Sequence, residues 1–295
     1  MKVAAVVVTY NRKDLLAENI EALLSQSIYE LLDIVIIDNS STDGTDVMLR
    51  KYQDNLKVKY VNTGENLGGA GGFQYGMRYA VEQGYDYVWV MDDDCIPTKT
   101  ALESFINIDK QLNGDYGFLS SKVLWKDGNI CRMNVQRQTI WKNVRDWSTP
   151  LVPIVMASFV SLFIPTNHIK ELGLPIKEFF IWTDDWEYTR RISLQKKSYL
   201  VNDSVVVHKS KNNFGASISD ESIDRLERYD YLYRNDVYLY RREGINGIIY
   251  EIVRLTLHII RVLLYAKNMK LYRIKKIIIA TLNGLLFNPQ VEFPN

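Results

Sequence analysis

The sequence predicts an α/β fold. It has a Rossmann-like sheet, a more mixed second half and a helical carboxyl-terminal segment. Three observations predict this arrangement. Between residues 2 and 120, short apolar runs alternate with helical periodicity, as strands covered by helices on both faces do. One run, Tyr87–Met91, ends in Asp92-Asp93-Asp94, which places three carboxylates at the carboxyl edge of a strand. After residue 245 the pattern changes to long Ile/Leu/Val-rich stretches crossed by a basic stripe.

Val3–Thr9 is a continuous apolar strand, and Leu15, Leu16, Ile20, Leu23 and Leu24 mark a helix over Asp14–Gln26. Ile34–Ile37 is the second strand, Val47–Tyr52 belongs to a helix, and Val58–Asn62 is the third strand. Gly71–Gln83 reads as a helix and Tyr87–Met91 as the fourth strand. Apolar runs without polar alternation are what a parallel sheet buried on both faces requires. Tyr10-Asn11-Arg12, not a glycine motif, follows the first strand, so a dinucleotide site is excluded.

Residues 1–210 form the main domain, divided into a first half (1–120) and a more mixed second half (121–210). In the second half, strand-like pieces occupy Lys122–Trp125 and Ile154–Ile164, a helix covers Asp185–Gln195, and a strand covers Ser204–His208. Residues 211–244 connect this domain to a helical segment over 245–295. The tyrosines at Tyr229, Tyr231, Tyr233, Tyr238 and Tyr240 in the connector are spaced for packing.

The 295 residues carry a formal net charge of +1, which gives no global field for nucleic acid. The two cysteines, Cys95 and Cys131, have no metal-knuckle spacing and imply a reducing compartment. The apolar run after Met1 is short and followed by polar residues, so it is expected to be a strand and not a leader. No uncharged apolar stretch reaches the ~18 residues a spanning helix needs.

Adjacent carboxylates repel unless a cation lies between them, and hard oxygen ligands suit Mg²⁺ or Mn²⁺ bridging to phosphates. Open α/β sheets also bind ligands at the carboxyl ends of their strands. Asp38 follows the second strand on that same edge, where it can accept from a nucleobase or ribose, while Ser40, Ser41 and Thr42 cap the next helix. Asn66–Phe73 contains Gly68, Gly69, Gly71 and Gly72 ahead of a helix, a composition that lets backbone approach a diphosphate or sugar. Asp184, Asp185 and Glu187 stand among Trp182, Trp186 and Tyr188. Rings there can stack on a sugar while a desolvated carboxylate acts as a base. His208 closes the last strand of this half.

Together these pieces resemble the inverting glycosyltransferases of family 2. The match runs over residues 1–210 in the family's order: Val7–Arg12, the Asp38 loop, the acidic triplet, Asp184-Asp185, then His208. Within that family the Asn66–Phe73 loop and the Asp184–Tyr188 element resemble bacterial galactofuranosyltransferases, and rhamnosyltransferases share much of the frame. The resemblance implies that Asp92, Asp94 and His208 hold Mn²⁺ or Mg²⁺. It places Thr9, Arg12, Asp38, Asn66, Gly68, Gly69 and Asp93 on a UDP-sugar donor, UDP-galactofuranose foremost. It implies a GT-A fold with a nucleotide-sugar half over 1–120 and an acceptor half over 121–210, makes Asp185 the general base, and sets Trp182, Trp186 and Glu187 around the acceptor, a glycan of the bacterial surface expected in lipid-linked form. Thr183 before the acidic pair and Trp186 within it depart from the galactofuranosyl pattern.

In the carboxyl-terminal third, Glu251, Arg254, His258, Arg261 and Tyr265 recur at spacings of three and four. A wide apolar face with a basic stripe suits an anionic membrane surface, on the inner face of the plasma membrane. Packing on the domain or in a homo-oligomer is the competing expectation. Two other functions compete with galactofuranosyl transfer: rhamnosyl transfer from dTDP-rhamnose, and a non-catalytic sugar-nucleotide-binding scaffold.

Overall fold

The computed structural model describes residues 1–294. The chain opens with β1 (Val3–Thr9), α1 (Lys13–Leu24), β2 (Leu32–Asp38), α2 (Thr45–Leu49), β3 (Val58–Asn62), α3 (Gly68–Glu82) and β4 (Tyr87–Asp92). β5 (Cys95–Pro97), α4 (Ala101–Leu112), β6 (Leu119–Trp125), β7 (Leu151–Ile154), β8 (Leu162–Pro165) and α5 (Thr166–Leu172) follow. α6 (Asp184–Ser193), β9 (Ser198–His208), α7 (Arg228–Arg241), α8 (Gly244–Tyr265) and α9 (Lys270–Leu286) complete it.

One sheet runs in the order β3-β2-β1-β4-β8-β6-β9-β5, with β7 paired to β9. The first four strands are parallel, and β8 then runs antiparallel to both β4 and β6. The sheet is therefore parallel in the first half and mixed in the second, as the apolar pattern predicts. Every residue of β1 is buried, and the period of two explains why. Val3, Ala5 and Val7 face α1 and its Leu16, Ile20 and Leu23, while Ala4, Val6 and Val8 face Phe73, Met77 and Ala80 of α3.

Two features of pairing build the site. Thr9 lies opposite Asp38 and Val8 opposite Asp92, so the ends of β1, β2 and β4 share one edge. Cys95 pairs with His208, which brings the end of β9 to the acidic triplet.

The structure corrects several sequence expectations. α3 begins at Gly68, so the glycines lie in the helix's first turns and not in a loop before it. Their first role is close packing. A Cβ at Gly72 would come within 2.6 Å of Val8 Cγ1, and one at Gly76 would collide with Val6 Cγ1. Ile154–Ile164 is not one strand: β7 and β8 are separated because the amide of Ala157 is taken by Thr189 Oγ1 of α6 at 3.1 Å. β5, α4 and α5 were not anticipated.

Part of the charged stripe expected on the outside of the carboxyl-terminal helices lies inside. The stripe on α8 starts inside: Glu251 is buried, Arg254 is bonded to it and paired with Asp236 of α7, and His258 Nδ1 lies 3.0 Å from Tyr233 OH. α7, the tyrosine-rich stretch, buries Tyr229, Tyr233, Tyr238 and Tyr240. The apolar residues that were expected to share the packing point outward, including Ile245, Ile252 and Leu264 on α8 and Leu271 and Leu286 on α9, the last two 84% and 88% exposed. No helix among the described residues is long and apolar enough to cross a membrane.

Gly76→Ala should destabilise the fold by about 1–3 kcal/mol through overpacking against Val6. Equilibrium urea unfolding measures this, and an unchanged midpoint would show that α3 can lift from β1 without cost.

Candidate active site

The acids at the sheet edge are held by different partners, and that separates their roles. Asp94 accepts from Arg12 Nη1 at 2.6 Å. Its other oxygen lies 3.1 Å from His208 Nε2 but is buried without a satisfactory hydrogen-bond donor. The two atoms converge without bonding well to each other, as ligands of a common cation do. One ligand atom each from Asp92, Asp94 and His208 lie within 4.8 Å of one another. His208 Nδ1 is 2.7 Å from Asn134 Oδ1, an acceptor, so Nδ1 carries the hydrogen and Nε2 is left as the coordinating nitrogen. Two carboxylates and an imidazole fit a divalent cation of the Mg²⁺ or Mn²⁺ type.

Charge explains the titration of the cluster. Burial and the neighbouring Asp94 push the Asp92 carboxyl up to about 6. Burial raises Asp93 to about 7, with Arg12 only partly offsetting it. Burial also acts to raise Asp94, but His208 and Arg12 outweigh it and hold Asp94 below the ordinary carboxylate range. His208 is the mirror image: burial disfavours its proton, yet Asp94, Cys131 and Asp92 together push it up to about 10. A proton on the ring thus supplies positive charge where a cation would.

Asp93 is a correction. It was expected to face the donor, but it is buried, with Oδ2 accepting from Thr9 Oγ1 at 2.7 Å and Oδ1 3.4 Å from Arg12 Nη1. Thr9 and Arg12 are accordingly turned onto the triplet, and Arg12 keeps half its side chain exposed. Asp38 is fully buried between Ser41 N at 2.9 Å and Tyr60 OH at 2.8 Å. Asn66 Oδ1 accepts from Gly68 N at 2.9 Å, and Asn39 Nδ2 ties the end of β2 to Gly68 O at 2.9 Å. Gly68 has no space beside Phe180, whereas Gly69 opens onto free space.

Asp184 and Asp185 start α6. Burial, then the charge of Asp92, raises Asp184 to about 7. Burial and Asp184 hold Asp185 well above the ordinary range. The charge of Asp92 adds to the rise at Asp185, so the acidic pair of α6 feels the field of the triplet. Trp186 is covered by the Arg137 guanidinium at 3.9 Å, and Trp182 packs edge-on against Tyr229 at 5.2 Å. Glu187 is a second correction: it is buried and both its oxygens are taken by Arg191 at 3.0 Å, so it anchors α6 and does not line an acceptor pocket.

Sequence reasoning missed Tyr60, Asn134 and Arg137. Each reaches the site across a long sequence separation, and no local motif marks it.

A parallel sheet with acids at its carboxyl edge, joined to a mixed half that returns a histidine, defines a GT-A fold. The Pyrobaculum calidifontis mannosyltransferase PcManGT in complex with GDP-Man and Mn²⁺ has this fold, with a TM-score of 0.59 and 17% identity over 97% of this chain and 76% of that one. Residues 4–118 match the glycosyl transferase family 2 model. Galactofuranosyltransferase GlfT1 of Mycobacterium tuberculosis H37Rv is 40% identical over 198 residues, 64% of each chain. The dTDP-rhamnosyl transferase RfbF of Shigella flexneri is 26% identical over 296 residues, 95% of this chain and 94% of that protein. Residues 4–118 thus carry a glycosyl transferase family 2 region, and the chain is similar in sequence to galactofuranosyltransferases. Its matched part spans just under two thirds of GlfT1's length, 64%.

Ligation needs a bare carboxylate and a neutral ring nitrogen, so protons compete with the cation. With Asp92 near 6 and His208 near 10, Mn²⁺ affinity should rise steadily between about pH 5 and 8. Calorimetric titration tests this, and a pH-independent affinity would remove both residues from the ligand set. Without metal, the raised carboxyls of Asp92 and Asp93 withdraw stability as pH climbs from about 4 through their folded values. The contribution of His208 is full below about 6.5 and is lost as pH passes its folded value. Both terms make the metal-free chain weaker at higher pH.

Proposed function

We propose that this chain is an inverting glycosyltransferase that moves galactofuranose from UDP-galactofuranose to a hydroxyl of a glycan acceptor, in lipid-linked form, during bacterial surface polysaccharide synthesis. The observation that carries the reading is the convergence of Asp92, Asp94 and His208 at the sheet edge where β2 ends in Asp38. The 40% identity to GlfT1 supports the choice of sugar. RfbF aligns over 95% of this chain, and that breadth makes rhamnose from a dTDP donor the second reading.

A divalent cation held by Asp92, Asp94 and His208 would supply Lewis acidity to the departing diphosphate. The chain's own residues do the rest. Asp38 is fully buried with one oxygen on Ser41 N and the other on Tyr60 OH, so it meets the nucleoside where the exposed Tyr60 ring moves off it. Gly69, without a side chain at an open position of the first turn of α3, lets the donor lie against the helix. Trp182 and Trp186 offer ring faces to the sugars. Asp185 takes the acceptor hydroxyl proton while that oxygen bonds to the anomeric carbon from the face opposite the diphosphate. The anomeric C–O bond to the diphosphate breaks in the same displacement, so configuration inverts. Burial favours the neutral form of Asp185, which makes its anion a stronger base than an exposed aspartate.

The outward face of α8 and α9 is assigned to an anionic membrane surface. Across residues 244–286 the exposed charges are Arg261, Lys267, Lys270 and Lys275, with no exposed acid, since Glu251 is buried. An apolar face bordered only by cations complements an anionic monolayer better than a second copy of itself, because the cations of two copies would repel. The cytoplasmic side of the plasma membrane agrees with two buried free thiols, Cys95 and Cys131.

Three outcomes test these readings. A panel of sugar nucleotides with Mn²⁺, scored by product mass, should give transfer from UDP-galactofuranose; transfer only from dTDP-rhamnose selects the second reading. Asp185→Asn should lower kcat by about 10²–10⁴-fold with donor Kd nearly unchanged, and full turnover would remove Asp185 from the mechanism. Ile252→Glu with Leu264→Glu should weaken co-sedimentation with phosphatidylglycerol vesicles by about tenfold or more. Equal vesicle binding, or a change from dimer to monomer in place of lost binding, would assign the face to another occupant.

A further inference from the structure

The backbone in front of α6 is held in an unfavourable conformation. Phe180, Trp182 and Thr183 have φ of 62°, 65° and 68°, a left-handed region that side chains other than glycine avoid and that persists only where neighbours over-determine it. The neighbours are on α7. Asn235 is fully buried, and its Nδ2 lies within bonding distance of three carbonyls of this loop: Phe179 O at 3.0 Å, Ile181 O at 3.2 Å and Trp182 O at 2.9 Å. Its Oδ1 accepts from Arg234 Nε at 3.0 Å and Nη2 at 2.9 Å, which fixes the amide orientation. Asp236 accepts from Thr183 Oγ1 at 2.6 Å, and its other oxygen pairs with Arg254 of α8. Glu251 holds that guanidinium through bonds of 2.9 and 3.0 Å. On the opposite side, Phe180 O accepts from Ala70 N of α3 at 3.1 Å.

The loop is thus strung between the start of α3, on the donor side, and two consecutive residues of α7. It leads directly into Asp184 and Asp185. We infer that Asn235 and Asp236 are positioning residues for the reaction: through the carbonyls of 179–182 and the hydroxyl of Thr183 they set the first turn of α6 and hence the place of the Asp185 carboxylate. The inference rests on Asp185 being the base. Both residues are buried, and neither lies near Asp92, Asp94 or His208 in sequence. Their chemistry is specific to the task, because one buried amide can serve several carbonyls and one buried carboxylate can serve a hydroxyl and a guanidinium at once.

Thr183 gives the cleanest handle, since valine keeps its shape and removes only the hydroxyl. In the full chain, Thr183→Val should lower kcat by about tenfold or more with donor KM changed less than about twofold, the pattern of a misplaced catalytic group. Thr183→Ser should restore kcat, because it restores the bond to Asp236. Asp236→Asn, which keeps an acceptor for Thr183 and removes the charge facing Arg254, should fall between the two. Amide hydrogen exchange should quicken in Thr183→Val across residues 180–187 and nowhere else. Unchanged kcat and unchanged exchange in Thr183→Val overturn the inference while the transferase reading stands. Faster exchange spread over the whole chain also overturns it, by showing general destabilisation. If the wild-type chain turns over no sugar nucleotide, the base assignment fails instead, and local exchange alone then decides whether α7 holds the loop.

Discussion

Three carboxylates cannot share the end of one strand without compensating charge, and much of the site answers that constraint. Arg12 reaches Asp93 and Asp94 from the turn after β1, Thr9 donates to Asp93, and the His208 ring stands against Asp94. The register of β5 with β9 delivers the histidine, and Asn134 turns its second nitrogen away from the cluster. Because the triplet is buried, each partner acts through a low-dielectric surrounding where its charge is felt strongly. The charge of Asp92 also reaches Asp184 and Asp185, where it adds to the effect of burial.

The glycines of α3 illustrate how packing serves the same edge. Gly72 and Gly76 let the helix settle onto Val8 and Val6, and Gly68 clears the backbone of Phe180. Close approach brings the first turn of α3 to the ends of β1 and β2, where Asn39 fastens it. The stretch Asn66–Phe73, suited to holding a diphosphate, therefore has a packing cause at Gly68, Gly71 and Gly72, and Gly69 is the one of its glycines that faces open space.

The helices after residue 227 are a working part of the domain. α7 buries its tyrosines and sends Asn235 and Asp236 to the loop before α6, while the tail returns so that Glu292 pairs with Arg78 and Lys177. α8 spends its charged residues inward on Asp236 and Tyr233 and leaves its aliphatic residues outside. A soluble helix with the opposite assignment is the common case. The inversion arises because α7 presents a buried carboxylate that only a cation can satisfy, and Arg254 is the residue that reaches it.

The strands of the first half were legible because each is a continuous apolar run, and the acidic triplet was legible because its members are adjacent. The order of the motifs carried the family likeness for the same reason: each motif is local. Sequence by itself determined the parallel sheet, the edge on which the acids lie and the candidate base at the start of α6. Only the tertiary structure decided that Asp93 and Glu187 are bound up with Thr9, Arg12 and Arg191, that Tyr60 bonds Asp38 and Asn134 bonds His208, and that Asn235 and Asp236 bond the loop before α6. It also decided which face of α8 is inside. Periodicity reports that a helix has two faces, but the groups waiting on its neighbours determine which face is buried, and those neighbours are brought together by contacts far apart in the chain.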